Sequence, residues 1–152
     1  MSQSVGERTR IGAPTTPTAV RPIMLATIDV PFALAAIAFA TDTARETGAD
    51  LLICHGIGVP VGNPAAAAAR SFGDPATLAS VALLARELGD RVARVRHLQF
   101  QHPRPARELP RLCAEEGVGL LVFGPERRRY GRWRYDRTLR RLHRDAPCFV
   151  WP

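Results

Sequence analysis

Arginine is concentrated in one stretch of the sequence, and its side chain is suited to binding anions. Residues 127–144 hold nine arginines and one acid, Asp136, for a net charge of +8, whereas the rest of the chain has a net charge of −1. Guanidinium groups bind phosphate oxygens in pairs. The segment is therefore predicted to meet an anionic ligand, an acidic protein or a nucleic acid, with a merely solvated face as the alternative. Its arginines are Arg127, Arg128, Arg129, Arg132, Arg134, Arg137, Arg140, Arg141 and Arg144.

Three aromatic residues, Tyr130, Trp133 and Tyr135, are interleaved with these arginines. Rings that stack on bases, beside arginines that neutralise phosphates, are typical of surfaces that bind single-stranded nucleic acids. The alternative is that one or more of the rings pack against the domain or a dimer partner. The sequence leaves both alternatives open.

Other kinds of site chemistry have little support in the sequence. Cys54, Cys113 and Cys148 form no Cys-x-x-Cys pair and are predicted to be buried, reduced side chains. The four histidines show no ligand spacing, so no metal site is expected. No nucleophile–base pair or acidic dyad is visible, and we therefore expect no enzymatic activity.

The length predicts one domain with a loose N-terminal tail. The 152 residues suffice for a single core. Residues 1–20 are rich in Ser, Thr, Pro and Gly and lack the apolar centre of an export signal, so a flexible tail is expected there and the domain is placed at 21–152. No apolar run approaches the roughly 18 residues of a membrane span. A cytoplasmic protein with no membrane partner is the expectation.

Strands and helices are predicted to alternate along the domain. This order implies an α/β fold with an open parallel sheet and helices on both faces. If the five strands take the order 3-2-1-4-5, the ligand crevice lies where strands one and four end, at Asp29 and Gly124. The predicted strands are 23–28, 51–57, 95–100, 119–123 and 148–151, and the predicted helices begin near 32, 75 and 106, with a fourth in the basic segment.

Four pieces of sequence, in order, resemble the universal stress protein family. They are Ile23–Asp29, Leu51–His55, Leu120–Gly124 and Ala146-Pro147-Cys148. The resemblance runs through residues 21–152. It implies the Rossmann-like universal stress protein fold, a homodimer, a role in the bacterial stress response and, as in some members, ATP or AMP as a ligand.

The resemblance also nominates residues for a nucleotide site. Binding members carry an aspartate after strand one, which Asp29 matches. After strand four they carry Gly-x-x-Gly-x9-Gly-Ser/Thr, whose small residues let backbone amides approach the phosphates. Gly124 matches the first glycine, whereas Arg127 and Arg137 stand at the second and third, and Thr138 takes the Ser/Thr place.

A second alignment of the same motif does not restore the missing glycines. Counting back from Ala146 moves the third position onto Asp136. A side chain at either position obstructs close approach of a phosphate to the backbone. An intact ATP cradle is therefore not expected, and no cofactor is assigned with certainty.

Three functions remain open. The preferred one is a non-enzymatic stress-response module with impaired or altered adenine-nucleotide binding. The second is an ATP- or AMP-binding protein in which Arg127 and Arg137 replace backbone amides. The third is a nucleic-acid-binding protein that uses the basic segment 127–144, with a candidate patch of Arg128, Arg129, Arg132, Arg134, Arg140 and Arg141.

Several of these features also have ordinary structural interpretations. Asp29 could cap the first helix or orient its loop, His55 is expected to be a packed core residue, and Thr138 suits an ordinary helix. The terminal strand Cys148–Trp151 would leave one edge unpaired, which predicts a homodimer through that strand.

Overall fold

The structure, a computed structural model, describes residues 20–62 and 74–151. It contains one five-stranded parallel sheet with the strand order β3-β2-β1-β4-β5, which confirms the predicted architecture. Nearly all of the predicted tail, and residues 63–73 of the loop after the second strand, lie outside the described residues. The strands are β1 (Ile23–Ile28), β2 (Leu51–Gly58), β3 (Val95–His102), β4 (Leu120–Phe123) and β5 (Phe149–Trp151).

Helices cover both faces of this sheet. One face carries α1 (Leu34–Thr47) and α2 (Pro75–Gly89), and the other carries α3 (Pro105–Glu115), α4 (Arg127–Tyr130) and α5 (Arg132–Asp145). The prediction of a single helix in the basic segment is wrong, because the segment forms two helices. Gly131 has a φ of 93°, a conformation open to glycine but strained for other residues, and it divides the segment into two helices.

The central strand β1 separates two apolar layers. All six of its residues are buried, and alternate side chains point to opposite faces. Leu25 packs in the layer beneath α1 and α2, whereas Met24 packs beneath α3 and α5. A strand covered on both faces explains why the sequence shows a continuous apolar run here instead of alternation.

The cysteines behave as small hydrophobic side chains. Cys54 and Cys113 are buried, Cys148 is half-buried, and none of them forms a disulfide. Burial raises the pKa of the Cys54 thiol to about 12. A thiol with so high a pKa is a poor nucleophile, which agrees with the structural role predicted for it.

No helix within residues 20–62 and 74–151 has both the length and the apolar character that crossing a membrane requires.

Candidate functional site

The loops that follow β1 and β4 are hydrogen-bonded to each other. The amide of Ala33 donates to the Gly124 carbonyl at 2.9 Å, and the amide of Glu126 donates to the Pro31 carbonyl at 2.8 Å. Phe32 and Pro125 form an antiparallel bridge between them. This bridge also keeps Phe32 out of α1, which begins two residues later than predicted. The two loops that border the expected crevice are thus joined to each other through their backbone.

Gly124 is needed for packing against α1. A Cβ atom at this position would lie 2.1 Å from the Cβ of Ala36, far inside van der Waals contact. Its amide donates to the Ala26 carbonyl at 2.9 Å. The glycine that matches the family motif therefore has a structural reason to be there that involves no ligand.

Asp29 links three elements at the carboxyl edge of the sheet. Its Oδ1 accepts a hydrogen bond from the Gly58 amide at 2.8 Å, and its Oδ2 accepts one from Nη2 of Arg134 at 3.2 Å. The residue has a φ of 61°, which aspartate tolerates better than most side chains. It does not cap the first helix, whose N-cap is Ala33. Its carboxylate instead orients the loop and pairs with α5.

The residues at the family's glycine positions lie in helices. Arg127 opens α4, and Arg137, Thr138 and Asp136 lie within α5, so both alignments of the motif fall on helical backbone. Amides beyond the first turn of a helix donate to carbonyls four residues earlier, so those of residues 136–138 are not free to meet a phosphate, whereas the Arg127 amide lies in the first turn of α4 and has no such acceptor within the helix. Among the described residues, amides that donate to backbone carbonyls here are those of Gly124, Glu126, Arg129, Tyr130, Gly131 and Tyr135.

An aromatic cluster fills the space beneath α4 and α5. The Phe123 ring meets Tyr130 edge-on at 5.6 Å and stacks on Tyr135 at 5.8 Å between centroids. The Tyr130 hydroxyl and Thr138 Oγ1 form a buried hydrogen bond of 2.8 Å, and burial raises the pKa of Tyr130. Tyr130 and Tyr135 are therefore core residues and are unavailable to stack on a base. Trp133 is 70% exposed.

We call the cavity between the start of α3 and α5 the arginine groove. Its volume is about 520 Å³, and Ile28, Tyr130 and Thr138 also line it. Trp133 contributes to its wall. The arginines that line it are Arg104, Arg107, Arg134, Arg137 and Arg141.

The positive charge in the arginine groove is largely unbalanced. Of its five arginines, only Arg134 pairs with a carboxylate of the described residues, that of Asp29. The guanidinium groups of Arg104 and Arg141 lower the pKa of Arg107 below its usual range. Like charges held this close favour an anion between them.

A second cavity, the apolar cavity, lies on the other side of the aromatic cluster. It has a volume of about 740 Å³ and is lined chiefly by Phe32, Leu34, Phe123, Tyr135 and Trp151. Gly124 and Arg127 line it too, and the Arg127 guanidinium stacks on the Tyr135 ring at 4.4 Å.

The structure does not bring the predicted nucleotide-site residues together. Arg137 and Thr138 line the arginine groove, whereas Gly124 and Arg127 line the apolar cavity. Asp29 reaches the groove only through Arg134. Arg127 and Arg137 therefore line different cavities.

The predicted arginine patch is also divided. Arg134 and Arg141 line the groove, Arg128 lines the apolar cavity, and Arg129 pairs with Glu126 at 3.5 Å. Arg132 lies in a separate depression beside Asp136. Arg140 is exposed and lines neither cavity.

Sequence reasoning missed Arg104 and Arg107. They are separated from the basic segment by some twenty residues. The usable signal was topological: α3 begins directly after β3, so its first residues lie at the carboxyl edge of the sheet, where α5 also begins.

His55 is a core residue, as predicted. It is 1% exposed, and neither ring nitrogen has a hydrogen-bond partner among the described residues. Burial lowers its pKa, and this effect outweighs the opposing influence of Asp29. In the same part of the chain, no group of three or more histidine, cysteine or acidic side chains could hold a metal ion.

The chain belongs to the universal stress protein family, whose sequence model matches residues 19–151. No curated protein is significantly similar to it in sequence.

Solved universal stress proteins share its fold. UspA from Lactobacillus plantarum superposes with a TM-score of 0.68 at 16% identity, over 88% of this chain and 98% of that one. The protein from Archaeoglobus fulgidus in complex with dAMP gives 0.60 at 14% identity, over 88% and 97%. A universal stress protein in complex with cAMP gives 0.58 at 17% identity, over 88% and 96%. At these identities the likeness establishes the fold alone.

Proposed function

We propose that this protein is a non-enzymatic stress-response module that has lost adenine-nucleotide binding through backbone amides. The observation that carries the proposal is the helical conformation of residues 127–130 and 132–145. A cradle for phosphates needs free amides and small residues. Here the amides of residues 136–138 are used within α5, and arginine replaces the glycines at positions 127 and 137.

The packing around these helices supports the same conclusion. The Thr138 hydroxyl is bonded to Tyr130, and the loops after β1 and β4 are bonded to each other. Opening a cradle would break both sets of contacts and expose the rings of Tyr130 and Tyr135. Relatives solved with dAMP and cAMP show that the fold can hold an adenine nucleotide. In this chain we infer that the backbone route is closed.

Calorimetric titration with ATP and magnesium tests the proposal. We expect no heat of binding at millimolar ATP, or binding that depends on arginine side chains. Binding that survives the removal of the groove arginines and of Arg127 would require backbone amides and would contradict the proposal. The expectation of no enzymatic activity is checked in the same sample by the release of inorganic phosphate, which should not exceed that of buffer.

In a second candidate function the protein still binds an adenine nucleotide, but through arginine side chains instead of backbone amides. Arg137 and Thr138 meet in the arginine groove, where three further arginines lack a carboxylate partner among the described residues. Guanidinium pairs would hold the phosphates in place of backbone amides. For this candidate, Arg137→Ala should abolish ATP binding, whereas Arg127→Ala, which alters the apolar cavity, should leave it intact. The opposite result would contradict it.

We also propose that the protein forms a homodimer through β5. Within the described residues β5 is an edge strand that pairs only with β4, and its Phe149 is 83% exposed. A second copy could continue the sheet and cover this side chain. Light scattering should give the mass of a dimer, and Phe149→Asp should give a monomer. A monomeric parent protein would rule the dimer out.

A further inference from the structure

We propose that the arginine groove, together with Trp133, binds single-stranded nucleic acid. This inference goes beyond the proposed function, which concerns the backbone route to ATP. It assigns a ligand to the arginines that the basic segment and the start of α3 bring to one groove.

The first argument is the unbalanced charge. Arg104, Arg107, Arg137 and Arg141 have no carboxylate partner among the described residues, although they lie at one cavity. Surface arginines usually find acids or separate into solvent. The guanidinium groups of Arg104 and Arg141 lower the pKa of Arg107 and Asp145 opposes them only in part, so positive charge outweighs negative charge around this side chain.

The second argument is the length of the charged surface. Arg134, Arg137 and Arg141 follow one another at nearly one-turn intervals along α5, so the row extends for about 10 Å at ~1.5 Å per residue. The arginines of α3 face this row across the groove. The phosphates of one nucleotide are joined directly to each other and would occupy one end of the row. A strand carries a phosphate on every nucleotide and would occupy all of it.

The third argument is Trp133. It is 70% exposed, it lines the groove, and the Arg137 guanidinium lies 5.3 Å from its ring centroid. A large aromatic ring left in solvent among cations is a platform for a base, since every base offers a π-face. Stacking requires an unpaired base, which favours a single strand over a duplex.

Fluorescence anisotropy with a labelled twelve-nucleotide single strand tests the proposal on the full chain. We expect binding that weakens with salt, and a fall of about 0.7 in the logarithmic salt slope for each phosphate contact removed. Trp133→Ala should weaken binding about tenfold, and Trp133→Phe should restore most of it. Because Trp133 is largely exposed, neither variant should alter thermal stability.

A pair of charge reversals on one helix provides the matched control. Arg137→Glu and Arg132→Glu change the net charge equally, but Arg132 lies outside the groove, beside Asp136. We expect Arg137→Glu to weaken binding at least tenfold and Arg132→Glu to weaken it no more than about twofold. Equal losses would show attraction by net charge alone and would overturn the proposal.

Competitors distinguish the other anionic partners. Displacement of the strand by poly-glutamate at equal charge, with no dependence on Trp133, would assign the groove to acidic proteins and overturn the proposal. Binding of ATP but not of the strand would assign it to a free nucleotide, with the same consequence. A duplex that binds more tightly than the single strand would also overturn it. None of these outcomes bears on the backbone cradle, which the titration of the groove-arginine variants tests separately.

Discussion

Helices α1 and α5 have the same length, fourteen residues, and cover opposite faces of the sheet in different ways. The buried side chains of α1 are Ala36, Ala40, Thr41 and Ala44, whereas those of α5 are Tyr135, Thr138 and Leu142. Small side chains bring α1 close to the strands. On the α5 side the Tyr135 ring packs on Phe123 of β4, and the arginine groove lies on that side.

The difference shows how one fold can join the loops after β1 and β4 and still form a charged groove beside α5. On the α1 side, the tight contact at Gly124 and the hydrogen bonds between the loops join the ends of β1 and β4, and the apolar cavity beside them is lined chiefly by hydrophobic side chains. On the α5 side, the aromatic cluster supplies apolar burial while charged side chains remain at the surface. We expect variants of the α1 side and of the buried layers to change stability, and variants of the arginines on the α5 side to change binding.

The largest effect is expected at the closest contact. Gly124→Ala places a methyl group 2.1 Å from the Cβ of Ala36, and overpacking of this kind should lower the free energy of unfolding by about 3 kcal/mol. Urea denaturation measures the change. Adding Ala36→Gly should recover part of the loss.

A matched control for that variant is available at the end of α2. A methyl group added at Gly89 would have no heavy atom within 4 Å, and Gly89 does not have a positive φ, so Gly89→Ala should be neutral or slightly stabilising. Equal effects of the two substitutions would contradict the close approach of α1.

The next effect depends on pH and tests how well the α1 face excludes water. The pKa of His55 is lowered in the folded state by burial, so below about pH 6.5 the unfolded chain binds a proton that the folded chain does not. Stability should therefore fall as the pH drops, and this residue should account for up to about 2 kcal/mol between pH 7 and pH 5. His55→Leu should remove that part of the pH dependence.

Urea denaturation at both pH values measures the His55 effect. His143→Gln, on the exposed side of α5, serves as the control and should keep the pH dependence of the parent protein. An unchanged pH dependence in His55→Leu would mean that water or another group solvates the imidazole.

A smaller effect is expected in the layer beneath α5. Tyr130→Phe or Thr138→Val leaves one buried hydroxyl without its partner and should cost about 1 kcal/mol each. The double variant removes both hydroxyls and should cost less than the sum of the two. Strict additivity in urea denaturation would mean that the two hydroxyls are not bonded in solution.

The smallest effect is expected at the ion pair that joins the two sides. Asp29→Asn keeps an acceptor for the Gly58 amide but removes the charge that faces Arg134. Because the pair is partly exposed, stability should fall by only about 0.5 kcal/mol, and less at high salt. Binding of the single strand should become tighter, since Arg134 is released. Weaker binding would show that Asp29 organises the groove.

Much of the fold could be predicted because buried strands and helices show characteristic local patterns of apolar residues. Strand β1 was placed with the observed bounds since six consecutive apolar residues suit a strand covered on both faces. The strand order followed from the alternation of elements and the right-handed crossover, which admit few arrangements. The break at Gly131 was missed because the sequence does not show whether a glycine within a helical pattern has a positive φ.

The site was harder to predict because its members come from distant parts of the chain. Asp29 and Gly124 were placed correctly at the ends of their strands, yet their partners could not be foreseen. Gly124 is held against Ala36, and Asp29 is held by Gly58 and Arg134. These contacts depend on how α1 and α5 are placed on the sheet, and the local spacing of apolar residues does not predict that placement.

The sequence by itself determined the α/β class, the family and the excess of arginine in one segment. The class follows from the spacing of apolar residues and the charge from composition, whereas the family follows from the resemblance of four pieces of the sequence. Only the tertiary structure decided which arginines share a cavity, because Arg107 and Arg137 meet through the packing of α3 beside α5. It also decided that residues 127–130 and 132–145 are helical, an arrangement in which Tyr130 and Tyr135 pack against Phe123.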